Sequence, residues 1–240
     1  MGRGTALRKM GERMDRILVG GDIPVTLRRS ARARRMTLRV VRAGGEVVLT
    51  LPSRASLSDG RAFAESRTEW LRQTRAGMRP LCAVEHGALL PVEGRPRRIV
   101  PHDGRRVELS DALLLVPQRR PAGVLVEVWL KQLAQARLIA ACDRHAAALG
   151  RGFRALALRD TRSRWGSCTH DGRLMFSWRL AMAPPEVLDY VAAHEVAHLL
   201  HMDHSPAFWA ATGRLMPDYA RHRDWLRRHG HELLAWRFRP

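Results

Sequence analysis

Hydrophobic and polar side chains alternate along three short stretches near the start of the chain. The stretches cover residues 23–30, 34–41 and 46–52, and two glycines at 44–45 separate the last two. Alternation with a period of two is typical of strands that bury one face. The pattern therefore predicts a small antiparallel sheet, preceded by a polar tail over residues 1–20.

Helical spacing replaces this alternation in the next part of the chain. Phe63, Trp70 and Leu71 recur at helical intervals within residues 57–75, which predicts one helix. Residues 88–117 then return to short apolar stretches that glycine and proline interrupt, as short strands do. The sequence indicates no internal repeat.

A long helical pattern begins the second half of the chain. It follows Pro121 and ends at Gly150. Residues 153–160 have the composition of a strand, and residues 164–180 have that of a hairpin. Two prolines at 184–185 favour the start of a helix, because proline suits the first helical turn. Further helices are predicted from there to the C-terminus.

These elements divide the chain into three parts. We expect a polar tail over residues 1–20, an N-terminal β-rich subdomain with one helix over residues 21–118, and a C-terminal subdomain over residues 119–240. Strands and helices that occur in separate blocks are typical of an α+β fold. The C-terminal subdomain is the one that carries candidate chemistry.

The composition is that of a globular protein. Apolar residues make up 45% of the 240 residues, which is enough to form a sizeable core. No apolar run reaches the length of a membrane helix, and the N-terminal residues lack the continuous apolar stretch of a secretory signal. Cys82, Cys142 and Cys168 are too far apart for a CxxC pair. A cytoplasmic protein with reduced thiols and no membrane association is therefore expected.

The chain is strongly basic, with a formal net charge of +19. Residues 28–42 contain seven arginines and no acidic residue, a pattern that suits a nucleic-acid or nucleotide partner. Only Lys9 and Lys131 are lysines among the 42 basic residues, so a compositional bias toward arginine is the simpler interpretation. The nucleic-acid or nucleotide partner stays an alternative.

The strongest chemical signal is the stretch HEVAHLLHMDH at residues 194–204. His194 and His198 are four residues apart, so on a helix their imidazoles project from one face, one turn apart. That spacing lets two nitrogens reach one metal ion. Glu195 lies beside this face, where its carboxylate can take a proton from a metal-held water without being a ligand.

A catalytic zinc ion needs a third protein ligand and an open fourth position. His204 supplies that ligand if the helix ends near residues 200–202 and the chain turns back. The Ser-Pro pair that follows His204 is suited to cap the next helix. His201 is the competing third ligand, for a helix that continues without a turn.

Three segments in and around this motif carry a family resemblance. They are RWGSCTHDGRLMFSWRL, PEVLDYVAAHEVAHLLHMDHSPAFW and PDYARHRDWL. Together they resemble the YgjP-like metallopeptidase family, which is related to the SprT-like and Wss-type compact zincins, and the similarity covers most of residues 23–237. The resemblance implies an α+β zincin-like catalytic subdomain with its active-site helix beside a small sheet. It also implies zinc held by His194, His198 and His204, with Glu195 as general base.

The sequence departs from the family pattern at two positions near the site. Asp203 and Ser177 stand where asparagine is common, and neither is an implied ligand. Cys168 is an alternative fourth ligand in a closed site, although a buried thiol in a hairpin explains it more simply. Trp178, in the same hairpin, is expected to pack in the core.

In compact zincins an extended peptide pairs with a sheet edge beside the active-site helix. The predicted hairpin at residues 164–180 is the candidate for that edge. Trp165, Gly166 and Ser167 would then line the substrate cleft. Tyr219 is a candidate for stabilising the oxyanion, although ordinary packing is the more common role of such a tyrosine.

Three functions remain open at this point. We favour a zinc metallopeptidase that acts on a peptide or protein substrate. A metal-dependent nucleoside triphosphate pyrophosphatase or phosphohydrolase is the second, because such activity has been assigned within the family, although a G-x-x-x-x-G-K phosphate loop is missing. A nucleic-acid-associated protease of the SprT-like type is the third.

Overall fold

A computed structural model describes residues 16–41, 44–76 and 81–239 of the chain. Helices and strands occur in separate blocks, so the predicted α+β class is confirmed. The residues group into two compact units, one that ends at Met78 and one that begins at Arg79.

The boundary between these units differs from the division at residues 118 and 119 that the sequence suggested. Leu90, Ile99 and Leu114, from the strands before that division, are buried in the same core as the long helix that follows them. Periodicity shows which face of an element is apolar, but it does not show which other element covers that face. The strands and the helix cover each other, so they belong to one unit.

The first unit contains a four-stranded sheet in the order β1-β2-β4-β3. Its strands are β1 (Arg16–Val19), β2 (Ile23–Ser30), β3 (Thr37–Val40) and β4 (Val47–Pro52). The predicted antiparallel pairing is correct for the two outer pairs and wrong for the central pair, because β2 and β4 run parallel. β4 buries three side chains and β3 buries one, so the more apolar strand takes the central position.

The first strand begins earlier than the sequence pattern indicates. β1 starts at Arg16, inside the segment predicted as a polar tail, and it buries Ile17 and Val19. Two buried positions are too few to reveal a period in the sequence. Residues 1–15 of the predicted tail lie outside the described residues.

Two helices, α1 (Leu57–Glu65) and α2 (Thr68–Ala76), occupy the stretch predicted as one. The Ser66 hydroxyl donates to the Phe63 carbonyl oxygen at 2.8 Å, and the Thr68 hydroxyl donates to the Glu65 carbonyl oxygen at 2.8 Å. Such side-chain bonds compete with the backbone bonds of a helix, which explains the break. Both helices contribute buried residues to the core of the sheet.

The second unit begins with a short strand, β5 (Cys82–Ala83), and a four-stranded sheet whose topology matches the first. The sheet has the order β6-β7-β9-β8, and its central pair is again parallel. Its strands are β6 (Leu89–Val92), β7 (Arg95–His102), β8 (Glu108–Leu109) and β9 (Leu113–Pro117). The topology therefore recurs although the sequence shows no repeat.

A 28-residue helix, α3 (Ala122–Leu149), runs through the second core. Gly150 follows it in the left-handed conformation, with φ at 63°, and ends the helix where the sequence predicted. In the described part of the chain, no helix combines the length and the apolar character needed to cross a membrane.

The next elements form the sheet beside the candidate site. β10 (Ala155–Arg159), β11 (Gly166–Cys168) and β12 (Arg173–Ser177) have the order β10-β12-β11. The predicted hairpin is β11 and β12, but it ends at Ser177, because Trp178–Met182 form a 3₁₀ helix. Trp178 is 1% exposed, so its predicted place in the core is confirmed.

Three helices complete the second unit: α4 (Pro185–Ala197), α5 (Pro206–Leu215) and α6 (Tyr219–Leu234). A last strand, β13 (Trp236–Arg237), pairs with β5 in parallel. α4 starts at the predicted proline pair and packs against α3, α5, α6 and β11. Its central position makes α4 a rigid support for the side chains at its C-terminal end.

Candidate metal centre

α4 is buried over most of its surface, and this burial fixes the position of its last turn. Four apolar residues from the earlier part of α4 are all buried: Val187, Leu188, Val191 and Ala192. α4 ends at Ala197, a few residues before the predicted helix end near residues 200–202. The amides of Leu199 and Leu200 then donate to carbonyl oxygens three residues earlier, which tightens the chain into a turn.

This turn brings three imidazoles together. The ligand nitrogens of His194, His198 and His204 lie within 4.8 Å of one another, and the Nε2 atoms of His194 and His204 are 3.1 Å apart. The return of the chain is fixed by Ser205, whose hydroxyl accepts a hydrogen bond from the Phe208 amide at 3.4 Å and caps α5. The Ser-Pro pair therefore caps the next helix, as predicted.

Burial keeps two of these imidazoles neutral at neutral pH. Burial is the main cause that lowers the pKa of His194 to about 3, and the charges of His198, His204 and Arg223 contribute to the same shift. Burial also lowers the pKa of His198, against the opposing effect of the hydrogen bond to the His201 carbonyl. A metal ion binds the neutral form of the ring, so both rings are in the form that a ligand needs.

The orientation of the His198 ring directs Nε2 toward the cluster. Its Nδ1 lies 2.8 Å from the carbonyl oxygen of His201, so Nδ1 carries the proton and donates it to that oxygen. Nε2 then keeps its lone pair, which is the arrangement typical of metal-binding histidines. Nδ1 of His194 is buried and has no hydrogen-bond partner within the described residues.

Aromatic side chains from the start of α5 support the three imidazoles, and sequence reasoning did not identify them. Phe208 is fully buried and stacks on His198, with ring centroids 4.4 Å apart. The Trp209 ring lies 5.8 Å from the rings of both His194 and His204. The motif HSPAFW contains both aromatics, so their position directly after His204 was the available signal.

Glu195 lies in close contact with the edge strand β11. Its side chain is almost fully buried, and this burial raises its pKa to about 8, against the opposing charge of Arg164. Gly166 of β11 packs directly on it. A Cβ atom at position 166 would lie 2.6 Å from Cγ and 2.7 Å from Cδ of Glu195. Only glycine leaves room for the carboxylate at this point.

β11 is the edge strand of its sheet, and among the described residues no strand pairs with its outer side. The Ser177 amide donates to the Trp165 carbonyl oxygen at 2.8 Å, and the Thr169 amide donates to the Arg173 carbonyl oxygen at 3.0 Å. Hydrogen-bonded and non-hydrogen-bonded pairs alternate in an antiparallel ladder. The backbone N–H and C=O groups of residues 166 and 168 therefore point away from β12, toward the open side of the sheet.

Comparison with protein families identifies the group to which this site belongs. The family model described as YgjP-like, metallopeptidase domain, matches residues 34–229, which is more than half of the chain. The chain belongs to the YgjP-like metallopeptidase family. The resemblance predicted from the sequence is thereby confirmed, and the match includes the whole histidine cluster, Glu195 and β11.

Comparison with solved structures finds a similarity to the crystal structure of the metallopeptidase zymogen of Pyrococcus abyssi abylysin. The identity is 18%, the match covers 37% of this chain and 90% of that chain, and the TM-score is 0.35. A search of curated proteins gives no match.

The predicted cleft residues of this YgjP-like protein occupy different environments. Ser167 is half-buried on β11. Trp165 packs against α6, where a Cβ at Gly230 would lie 3.0 Å from its ring. Tyr219 begins α6 and stacks on Trp209, with ring centroids 5.3 Å apart. Only the Trp209 ring thus separates Tyr219 from the histidine cluster. Trp165 packs on α6.

The two alternative ligands lie apart from the cluster. Among the described residues, the group that could hold a metal ion consists of the three histidines alone. His201 contributes its carbonyl oxygen to His198 rather than its ring. The Cys168 thiol donates to the Thr169 carbonyl oxygen at 3.4 Å, and burial raises its pKa to about 11. Neither side chain belongs to the candidate ligand set.

The two departures from the family pattern have simple local consequences. The Asp203 carboxylate accepts a hydrogen bond from the Ser205 amide at 3.3 Å, a bond that an asparagine oxygen can also accept. Ser177 is fully buried, and its hydroxyl has no partner within the described residues. The turn before α5 is therefore maintained, while the serine leaves a polar atom unpaired.

Proposed function

We propose that this protein is a zinc-dependent peptidase in which His194, His198 and His204 bind the metal ion and Glu195 is the general base. The observation that carries the proposal is the convergence of three imidazole nitrogens within 4.8 Å. The buried Glu195 side chain is next to these proposed ligands in the sequence, and it packs against Gly166 of the edge strand β11. No other group of this kind occurs in the described part of the chain.

The donor set fits a zinc ion. Catalytic zinc sites use three nitrogen or oxygen ligands from the protein and leave one position open. Two nitrogens at tetrahedral positions around zinc are about 3.3 Å apart, given zinc–nitrogen bonds of about 2.0–2.1 Å. The Nε2 atoms of His194 and His204 are 3.1 Å apart, so little movement is needed. The hydrogen bond from His198 to the His201 carbonyl supplies the outer support that such ligands need.

The mechanism follows from the positions of the chain's own groups. A bound zinc ion would supply Lewis acidity toward the scissile carbonyl and the attacking water. The positive charge of a bound ion would favour the ionised form of Glu195, whose pKa burial alone raises. In that form Glu195 accepts a proton from the water while the hydroxyl oxygen adds to the carbonyl carbon. The same carboxyl then transfers the proton to the leaving nitrogen as the C–N bond breaks. Tyr219 is the proposed donor to the oxyanion, because it stacks on Trp209 beside His204.

The free edge of β11 explains how a substrate would be held. The outward N–H and C=O groups of residues 166 and 168 can pair with the main chain of an extended peptide. Main-chain pairing depends little on sequence, so we expect broad tolerance of side chains at the cleavage site. Gly166 keeps the peptide backbone and Glu195 close together, because no side chain separates them.

The decisive experiment combines metal content with turnover. We expect one zinc ion per chain, cleavage of a casein-type substrate, and cleavage lost in Glu195→Gln. General acid–base catalysis contributes about 10²- to 10⁴-fold, so turnover should fall by at least about a hundredfold while zinc is retained. Wild-type turnover in Glu195→Gln would contradict the assignment of the base, and a protein without metal after purification and zinc addition would contradict the site.

A phosphohydrolase is the second candidate, because two arginines lie near the cluster. Arg164 influences the pKa of Glu195, and Arg223, which lies 4.6 Å from the Trp209 ring, influences the pKa of His194. Guanidinium groups pair well with phosphate oxygens. The same variants should therefore be assayed with nucleoside triphosphates. Hydrolysis that depends on Glu195 without any proteolysis would favour this candidate. Association of the arginines in residues 28–42 with nucleic acid stays a prediction.

A further inference from the structure

A second cleft lies in the unit that carries the histidines, but different elements form it. The loop between β7 and β8, the turn between β9 and α3, and the first half of α3 enclose a volume of about 570 Å³. That volume is in the range of sites that hold small molecules or a few side chains. None of its lining residues belongs to α4, α5 or β11.

The rim of this cleft is positively charged. Arg105 and Arg106 come from the β7–β8 loop, and Arg120 comes from the turn before α3. All three are exposed, and none has an ion pair or a side-chain hydrogen bond within the residues that the structure describes. No lining residue is acidic. Elsewhere in this unit arginines do find acidic partners, as Arg144 does with Asp189 at 2.8 Å. The rim guanidinium groups therefore remain available to an anionic ligand.

The loop that carries two of these arginines is held in a defined shape by His102. The Gly104 amide donates to Nδ1 of His102 at 3.2 Å, so Nδ1 is unprotonated. Nε2 therefore carries the proton and donates to the Arg106 carbonyl oxygen at 2.8 Å. A Cβ at Gly104 would lie 2.6 Å from Nδ1, so glycine permits this close approach. The arginines are thus presented by a preorganised loop rather than by an unsupported one.

The floor of the cleft is apolar. Leu125, Val128 and Trp129 of α3 line it, and Val128 is 50% exposed. Trp129 is half-buried and packs against the core with its inner side. An exposed valine beside a partly exposed tryptophan and leucine is a surface that gains free energy when an apolar group covers it.

We propose that this cleft binds an acidic peptide segment that carries aliphatic side chains. The three arginines pair with carboxylates, and the apolar floor receives an aliphatic side chain between them. A single-stranded nucleic acid suits the site less well. Nucleic-acid grooves stack successive bases on several aromatic rings, whereas this floor offers one half-buried tryptophan among aliphatic residues.

Because the cleft and β11 lie in the same unit, the proposal extends to the substrate, whose acidic segment would bind the cleft while another part pairs with β11. This role rests on the proposed function, whereas the binding itself does not. A substrate held at both the cleft and β11 would bind more tightly, because the second contact is made intramolecularly. Proteins with acidic, leucine-containing segments would then be preferred as substrates. This preference would arise although main-chain pairing at β11 depends little on the side chains of the substrate.

The binding test uses the full-length Glu195→Gln protein, so that no probe is cleaved. The probe is a short fluorescein-labelled peptide in which glutamates alternate with leucines, and binding is followed by fluorescence anisotropy. The combined variant Arg105→Gln, Arg106→Gln, Arg120→Gln should bind it at least about tenfold more weakly, since three charge-assisted contacts are lost. Val128→Ser should also weaken binding, because it removes an apolar contact.

Matched controls separate this cleft from the general charge of the protein. The variant Arg61→Gln, Arg67→Gln, Arg151→Gln loses the same charge from exposed positions outside the cleft and should bind as the parent does. Circular dichroism spectra verify that each variant is folded. Equal weakening by both triple variants would overturn the proposal, as would unchanged binding of a peptide with glutamine for glutamate. Tighter binding of oligothymidylate than of the acidic peptide would also overturn it.

The substrate role has its own measurement in the wild-type enzyme. Two quenched-fluorescence peptides share a cleavable core, and one also carries the glutamate–leucine segment. The longer peptide should have a lower KM, and the cleft triple variant should remove that difference without changing kcat. If the labelled peptide binds but neither substrate is cleaved, the peptidase proposal fails and the proposal that the cleft binds acidic peptides is retained. If both are cleaved with equal KM and the probe does not bind, the cleft proposal fails alone.

Discussion

His201 and His204 show how one backbone bond selects between two candidate ligands. The carbonyl oxygen of His201 accepts the Nδ1 proton of His198, so this residue supports a ligand through its main chain. The His204 ring lies with the other two, and its Nε2 is 3.1 Å from that of His194. We therefore expect metal binding to depend on the side chain of His204 and not on that of His201.

Replacing each of these histidines by alanine should separate their roles. His204→Ala should weaken zinc binding by more than about a hundredfold, because the loss of a ligand costs more than the 10- to 100-fold loss from an outer partner. His201→Ala should keep nearly the parent affinity, since its carbonyl oxygen remains. Competition with a zinc chelator measures both affinities. A larger loss in His201→Ala would show that the turn presents the other ring to the metal.

Gly166 shows how the lack of a side chain can determine the position of a neighbouring carboxyl group, here the proposed general base Glu195. Gly166→Ala places a Cβ 2.6 Å from Cγ of Glu195, so the carboxylate must move. A displacement of about 1 Å can cost about a hundredfold in rate, and we expect kcat to fall by that order with zinc retained. Gly152→Ala is the matched control, because nothing lies within 4 Å of its Cβ position. If Gly166→Ala keeps the kcat of the parent protein, the displacement of the Glu195 carboxylate does not affect turnover.

The helices α3 and α4 are joined by a partly buried ionic contact as well as by apolar packing. Asp189 of α4 accepts hydrogen bonds from Nε2 of His145 at 3.0 Å and from Arg144 at 2.8 Å, both on α3. Burial tends to raise the pKa of Asp189, but the hydrogen bond from His145 and the charges of His145 and Arg144 outweigh burial and lower it. The ionised carboxylate therefore stabilises the packing of α4, which carries His194, on α3.

The lowered pKa of Asp189 predicts how stability depends on pH. Because the folded pKa lies below the unfolded value, the unfolded chain binds more protons between the two values. The contribution of Asp189 is thus complete above the unfolded pKa and is lost as the pH falls through the folded pKa. Asp189→Asn should lower the free energy of unfolding by about 1–3 kcal/mol at pH 7.

Denaturant unfolding from pH 7 to pH 3 tests this expectation. The difference between Asp189→Asn and the parent should shrink as the pH falls below about 4, the usual range of an aspartate pKa. Asp143→Asn is the control, because Asp143 is exposed on α3, the helix that carries His145 and Arg144, and has no hydrogen bond among the described side chains. A constant difference over this range would mean that Asp189 acts through packing alone.

At the scale of the whole molecule, two large apolar cores lie in separate parts of the chain, and a small third cluster contains Ala197, Phe208 and Ala211. One core contains residues from Ile17 to Leu71, and the other contains residues from Val84 to Phe238. The histidine cluster, Glu195, β11 and the arginine-rimmed cleft all lie in the second part. Each unit thus buries its own apolar surface, which is the property of an independent folding unit.

The fragment 79–240 should consequently fold by itself and bind one zinc ion. Its core, its α3–α4 contact and its β5–β13 pairing are all internal to it. We expect cooperative thermal unfolding of the fragment, with a transition that zinc shifts upward because the metal binds the folded state. Calorimetry of the fragment with and without zinc measures this. Non-cooperative melting would show that the first unit is required for the second to fold.

Local periodicity predicted many of the elements, and non-local packing explains the differences. The strands and most helices occur where the alternation or the helical spacing placed them. The parallel pairing of β2 with β4 and of β7 with β9 was not predictable, because alternation identifies a buried face but not the neighbouring strand. The break between α1 and α2 depends on two hydroxyl groups that a hydrophobic pattern does not register.

The sequence by itself determined the candidate ligands and their chemistry. His194, Glu195, His198 and His204 lie within eleven consecutive residues, where the helical period and one turn are sufficient to bring them together. Only the tertiary structure decided that Gly166 faces Glu195, that β11 keeps a free edge, and that three arginines surround an apolar cleft. These arrangements join segments far apart in the chain, and such contacts depend on the packing of the whole unit rather than on any local period.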